Sequence, residues 1–187
     1  MALQLTLKCD INLEFAIGKV TKGKEMQVFG EYFPLINPLL AEFATSQLAS
    51  FSIIDTNRTG VVAEMGSLTN WSSADDYNRF HNDPRFTKIK PLRDNALDLL
   101  WDGHFFTSVD KVVNIDTDAD YALVIAEGVH ISSDPIHDLP FATDSPKQAY
   151  AGKSMTLHLW NNNAEQLLTT PMNEAEVFRI RFNAPAP

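Results

Sequence analysis

The 187-residue chain contains one cysteine, Cys9, so no disulfide can form within it. That excludes the small secreted scaffolds in which cross-links replace a core. Basic residues are also few. Fifteen Lys and Arg stand against 24 Asp and Glu, a formal charge of −9, and no basic patch is segregated along the chain. Such a charge balance repels phosphate backbones and argues against nucleic acid as a partner. No stretch approaches the roughly 20 apolar residues that span a bilayer. The opening MALQLTLKCDINLEF alternates polar and apolar residues and lacks the basic start, apolar block and cleavage site of a secretion signal. A cytoplasmic location without membrane contact is the expectation, and the Asn-x-Ser/Thr matches at Asn57 and Asn70 then carry no glycan. With only 8 glycines there is no phosphate-cradling loop, and no Gly-x-Ser-x-Gly elbow occurs. Cys9 sits in a strand pattern with no obvious histidine partner, so nucleophilic catalysis has no support.

What is present is an ordinary globular composition, 44% hydrophobic and 21% charged, enough for one large domain or two small ones sharing a core. Residues 3 to 17 alternate as one or two strands, with Leu3, Leu5 and Leu7 on one face. MQVFGEYF, 26 to 33, reads as a strand. Leu35, Leu39, Leu40, Phe43 and Leu48 then recur at helical spacing behind Pro34 and Pro38, which predicts a helix from about 37 to 49. SFSIIDTN and TGVVAEMGSL form a hairpin around a polar connection ending in Gly60. Ser72 to Asp76 supplies an N-cap and acidic first turn, Asp83-Pro84 restarts a helix, and that helix runs to about Leu100 with a disturbance at Pro91. HFFTSV follows as a strand.

The order from 26 to 109 is strand, helix, strand, strand, helix, strand: the split βαβ, ferredoxin-like plan, an antiparallel sheet with its helices on one face. Residues 1–25 read as an N-terminal strand extension. Residues 119–187 read as a second, partial unit sharing the core: strands YALVIAEGV, SMTLHLW and EVFRIRF, with the short helix AEQLLTT. VAEMGSLTNWSSADDYNRFHNDP and MTLHLWNNNAEQLLTTP share one grammar of strand, Asn/Ser cap, short helix and proline, which suggests a divergent repeat.

Trp71 and Ser73, then Asp83, Pro84, Phe86, Ile89, Lys90, Pro91, Leu92 and Arg93, and finally Gly103 form a pattern that resembles a small family of dimeric α+β barrel proteins. The resemblance spans about residues 26 to 108. It implies two ferredoxin-like sheets facing one another, in a homodimer or between the halves of one chain. It also implies a cavity in which relatives bind small molecules, some as cofactor-independent oxygenases, haem-degrading enzymes, isomerases or dehalogenating enzymes. The second half of this chain departs from short members of that family and could complete the barrel without a second copy; otherwise a homodimer is expected.

Arg93 lies four residues from Ile89 and four from Leu97, on the apolar stripe of its helix, where a guanidinium must snorkel, meet a carboxylate or face an anionic ligand. In strand 155–160 Met155, Leu157 and Leu159 share one face, and His158 and Trp160 the other. In strand 177–182 Phe178, Ile180 and Phe182 oppose Arg179 and Arg181. If the apolar faces meet the helices, His158, Trp160, Arg179 and Arg181 line the barrel interior, an aromatic and basic cavity for an organic anion. His158 and His104 are then candidate general bases, with His81 as a further histidine at a helix boundary. Arg93, Arg179, Arg181 and Trp160 are the candidate ligand-binding residues. His130, Asp134, His137 and Asp138 gather in one loop, but their spacing matches no metal-ligand frame, and neither a metal nor another cofactor is expected. The residues point to a protein that binds or transforms a small organic molecule, and they leave catalysis and passive binding or assembly both open.

Overall fold

The computed structural model describes residues 2–9, 11–43, 45–60, 62–106, 110–127, 137–140, 152–171 and 173–184. In chain order they form β1 (Ala2–Leu7), β2 (Asn12–Val20), a π-helical segment (Gln27–Tyr32) running into α1 (Phe33–Glu42), β3 (Ser46–Thr56) and β4 (Met65–Trp71). Then come α2 (Ala74–His81), α3 (Pro84–Asp94), β5 (Leu97–Phe105), β6 (Lys111–Asp116), β7 (Tyr121–Ala126), β8 (His137–Pro140), β9 (Ser154–Leu159), α4 (Asn162–Leu167) and β10 (Ala175–Phe182). The fold is α+β. Eight strands build one sheet in the order β5-β2-β4-β3-β10-β7-β9-β8, antiparallel at every described pairing, while β1 and β6 form a two-stranded ribbon.

The period of two decides which side chains fill the sheet's inner face. Leu13, Phe15 and Ile17 of β2, Leu68 of β4, Phe51 of β3, Phe178, Ile180 and Phe182 of β10, and Leu123 and Ile125 of β7 join a single core. Leu5, Leu7, Val113 and Ile115 of the β1–β6 ribbon close over it. Phe15 stacks on Phe51 at 6.1 Å and meets Phe178 at 6.0 Å, and Phe182 lies edge-on to Phe51 and Tyr121. Gly66 fits this packing: a Cβ there would lie 2.3 Å from the Phe51 ring.

The helices cover the opposite face. Tyr32, Ile36, Leu39, Phe80, Phe86 and Trp71 of β4 form one apolar layer over the first half of the sheet. Ala164 of α4 packs on Ala122, Val124, Ala126, Ala175 and Val177 over the second.

Several sequence expectations change. The stretch 26 to 33 is helical, not a strand: Val28, Tyr32, Ile36 and Leu39 are the buried positions, and their spacing of three and four is helical. Residues 12–20, expected in an N-terminal extension, form β2, which pairs with both β4 and β5 inside the sheet. The boundary expected at residue 25 lies between β2 and the π-helical segment. The helix from Pro84 ends at Asp94, six residues earlier than expected, and Leu97–Leu100 already belong to β5. Pro91 lies inside the helix, where it lacks the N–H that would bond the Thr87 carbonyl, and the helix ends three residues later. The helix expected over 37–49 spans 33–42, and β3 begins at Ser46. The ribbon strand β6 was not anticipated. The loop residues His130 and Asp134, and the side chains of His137 and Asp138, lie outside the described residues.

Candidate functional site

A cavity of about 160 Å³ lies between the helical layer and the outer face of the sheet. One water needs roughly 10–15 Å³ on the same measure, so the space suits a ligand of roughly a dozen non-hydrogen atoms. Its floor is made by small residues of β2 and β4, Ala16, Gly18, Ser67 and Thr69, which leave the sheet surface flat. Its walls are aromatic and aliphatic: Tyr32, Phe33, Ile36 and Leu40 from the π segment and α1, Phe80 from α2, Phe86 from α3, Trp71 from β4, and Leu97 and Leu99 from β5. Glu14, Asn37, Gln47, His81 and Arg93 supply polar groups to the same lining.

Glu14, His81 and Arg93 are each held by a neighbour. The Trp71 indole Nε1 donates to Glu14 Oε2 at 2.7 Å, fixing the carboxylate against a 2% exposed ring. Asn12 pairs with Trp71 across β2 and β4, so Glu14, two residues on, lies diagonal to the indole. His104 faces Glu14 across β2 and β5, and its Nδ1 meets Asn12 Oδ1 at 2.9 Å. His81 Nδ1 lies 2.9 Å from the Tyr77 carbonyl oxygen, which can only accept, so that nitrogen carries a proton. The His81 ring stacks among Tyr77, Phe86 and Trp71 at 4.0, 5.1 and 6.0 Å.

Arg93 lies over the Phe86 ring at 5.6 Å and donates through Nε and Nη2 to Asp94 Oδ1 at 2.9 and 2.7 Å. Its charge also acts on the Tyr32 phenol. Burial pushes the Tyr32 hydroxyl above its usual range, against the Arg93 guanidinium, so the phenol stays protonated at neutral pH. Asp94 is pulled upward by burial, but Lys90 and Arg93 outweigh that and hold its carboxyl below the usual range. The Arg93 charge is thus answered locally, by the adjacent Asp94.

The other sequence candidates lie elsewhere. His158 is 2% exposed and its Nε2 meets Thr156 Oγ1 at 2.9 Å, on the outer face under α4. Arg179 stacks over Trp160 at 4.8 Å, and both Arg179 and Arg181 donate to Asp120 at 2.6–2.8 Å. None of these four lines the cavity. The expectation that they point into the barrel interior is reversed: the apolar faces of β9 and β10 turn inward, and the mixed faces turn outward. The physical reason is that the most apolar face of the sheet joins one core with the β1–β6 ribbon, and the helices take the other face. Phenylalanines fill that interior, leaving a void of about 20 Å³ beside Leu5, Leu68 and Met155. Among the candidates Arg93 reaches the cavity, as does His81; His104 sits beside it, 4.5 Å edge-on to Tyr77. Glu14 and Tyr32 were missed. The available signal was one carboxylate, Glu14, in the apolar strand NLEFAIG.

Among the described residues no group of three or more His, Cys, Asp and Glu is arranged to hold a metal ion. No described helix is long and apolar enough to cross a membrane.

No protein-family model matches the chain, and no curated protein matches it in sequence. One solved structure, a crystal structure described as that of an anthrone oxidase-like protein, superposes on 96% of this chain and 95% of its own with a TM-score of 0.51. Identity over that alignment is 7%, so the likeness is one of fold.

Proposed function

We propose that the protein binds, and in the enzymatic reading transforms, a small and largely apolar organic molecule in the cavity between the helical layer and strands β2 and β4. The carrying observation is the coincidence of a flat small-residue floor, aromatic walls and the groups of Glu14, Tyr32, His81 and Arg93 in one space of about 160 Å³. Pockets of this make-up, apolar with a few placed polar groups, are how proteins orient small ligands. The fold neighbour's description as anthrone oxidase-like agrees in kind and makes anthrone a rational first probe. No resident cofactor is needed for this reading.

We also infer that the sheet comprises two ferredoxin-like units in tandem, forming a pseudo-dimeric α+β barrel in one chain. In support, β5-β2-β4-β3 is the order fourth, first, third, second of the split βαβ plan, and β10-β7-β9-β8 repeats it. The units join through β3 and β10, where Phe51 faces Phe182. The second half then stands where a partner subunit would, and a monomer follows.

Calorimetric titration with bicyclic and tricyclic aromatic compounds, anthrone included, tests the binding reading. One site per chain is expected, weakened at least tenfold by Ala16→Phe, which fills the floor. Failure of every compound to bind, with the native fold confirmed by circular dichroism, rejects it. Chromatography of bound compounds after incubation separates catalysis from the second reading, non-catalytic binding or assembly through the same cavity.

A further inference from the structure

Most polar groups of the cavity are answered by the protein or lie within reach of water. Arg93 donates to Asp94, Glu14 accepts from the Trp71 indole, and His81 is bound to the Tyr77 carbonyl. Asn37 and Gln47 are exposed, and Ser67 and Thr69 are half-buried. Tyr32 differs. It is 7% exposed and lines the cavity, and among the described residues no acceptor takes its proton. Its oxygen is not among the sealed polar atoms of the fold, so it opens on the cavity. A buried donor without an acceptor is costly and rare, so one on a cavity wall points to an acceptor brought by the occupant.

The local sequence sets where that hydroxyl sits. The Phe33 amide donates to the Val28 carbonyl, five residues back rather than four, and Pro34 then has no N–H to give. The widened turn ends on Tyr32, whose ring lies 5.4 Å from that of Phe33, and π turns of this kind gather at functional sites. Burial keeps the hydroxyl protonated at neutral pH, so it donates. Two opposite charges, Arg93 and Glu14, act on the same phenol. A ligand charge of either sign gains from one and loses to the other, and its lost hydration goes uncompensated.

From this geometry we propose that Tyr32 sets the specificity of the cavity: its hydroxyl donates to an acceptor oxygen of the ligand, an uncharged, flat aromatic compound carrying a carbonyl group. The proposal rests on the binding reading above and names its ligand class. A carbonyl fits because its oxygen offers two lone pairs in the plane of the ring and has no proton of its own to place.

The test holds shape nearly constant and varies the polar group. 1-Tetralone, its hydrocarbon counterpart 1-methylidenetetralin, 1-aminotetralin and tetralin-1-carboxylate are titrated separately into the intact protein at neutral pH. The ketone should bind about tenfold or more tightly than either ion. Tyr32→Phe keeps the ring, and should weaken the ketone about tenfold while leaving the hydrocarbon within about twofold. The infrared carbonyl band of the bound ketone gives a readout that packing alone does not move. It should lie below its position in an apolar solvent, and return toward that position in Tyr32→Phe. Because the band is first read on the unmodified protein, the test survives a Phe variant that fails to fold. An unshifted band, equal loss of ketone and hydrocarbon in Tyr32→Phe, an unchanged ketone affinity there, or tighter binding of either ion overturns the specificity proposal and leaves the cavity reading standing. If none of the four binds, both fall.

Discussion

Asn57 shows what one side chain can join. Its Nδ2 donates to the Thr170 and Ala175 carbonyls at 3.0 and 2.7 Å, and its Oδ1 accepts from Val177 N at 2.9 Å, 120 positions along the chain. Asn57→Ala should therefore cost about 3 kcal/mol, since part-buried backbone groups lose partners they cannot replace; the urea midpoint measures it. Trp71→Phe removes the donor to Glu14 and also shrinks a 2% exposed bicyclic ring, and should cost about 3 kcal/mol or more, the lost hydrogen bond and the cavity together. In sequence Asn57 is legible only as the first residue of an Asn-x-Ser/Thr triplet, because its partners lie far away. Arg93 was legible, since helical spacing alone puts it beside Phe86 and Ile89. Glu14 was not: a lone acid in an apolar strand gains meaning only when the layer facing it is known.

At the scale of elements, caps and turns were the readable part. Ser73 Oγ accepts from Asp76 N at 3.0 Å and Asp83 Oδ1 from Arg85 N at 2.7 Å, as the Ser and Asp-Pro signals predicted for α2 and α3. Ser73→Ala should lower stability by about 1 kcal/mol in the same assay. The π segment misled because MQVFGEYF is rich in residues that strands also favour, and only packing against α3 decides for a helix. The faces of β9 and β10 misled for a related reason. Alternation reports two faces but not which one the helices cover. Their outward arginines tie β10 to the residue before β7 through Asp120. Burial pulls that carboxyl upward, but Arg179 and Arg181 outweigh it and lower it below the usual range. A carboxyl lowered in the folded state stabilises fully above its unfolded pKa, near 4, and the contribution is lost as pH falls through the lower folded value. Asp120→Asn should accordingly reduce the thermal midpoint at neutral pH and flatten its decline below about pH 4. A decline as steep as that of the unmodified protein would assign the acid limb to other groups.

At the scale of the molecule, the proposed tandem arrangement predicts a particle of 20.9 kDa by light scattering, and a mass of about twice that would return the homodimer expectation. The likeness read in the sequence between the segments after β4 and after β9 falls on strands holding matched places, third in each half of the sheet order. What sequence could not supply was the place of β2 inside the sheet, because its partners β4 and β5 lie about 50 and 85 residues downstream. The halves are also linked by a pair of charges: Arg58, after β3, meets Glu176 of β10 at 3.4 Å, with their side chains 8% and 5% exposed. Removing one member, as in Glu176→Leu, should cost about 3–5 kcal/mol, and pairing it with Arg58→Met should restore much of that loss. Strand β10 is inserted between β3 and β7 and follows both in chain order. On a ribosome adding roughly 5–20 residues per second, β3 therefore waits for its neighbour on the order of ten seconds, with Phe51 and a bare edge exposed. The nascent chain is in this respect a client for a holding chaperone, and its yield in cells should respond to chaperone supply more than the stability of the finished molecule would suggest.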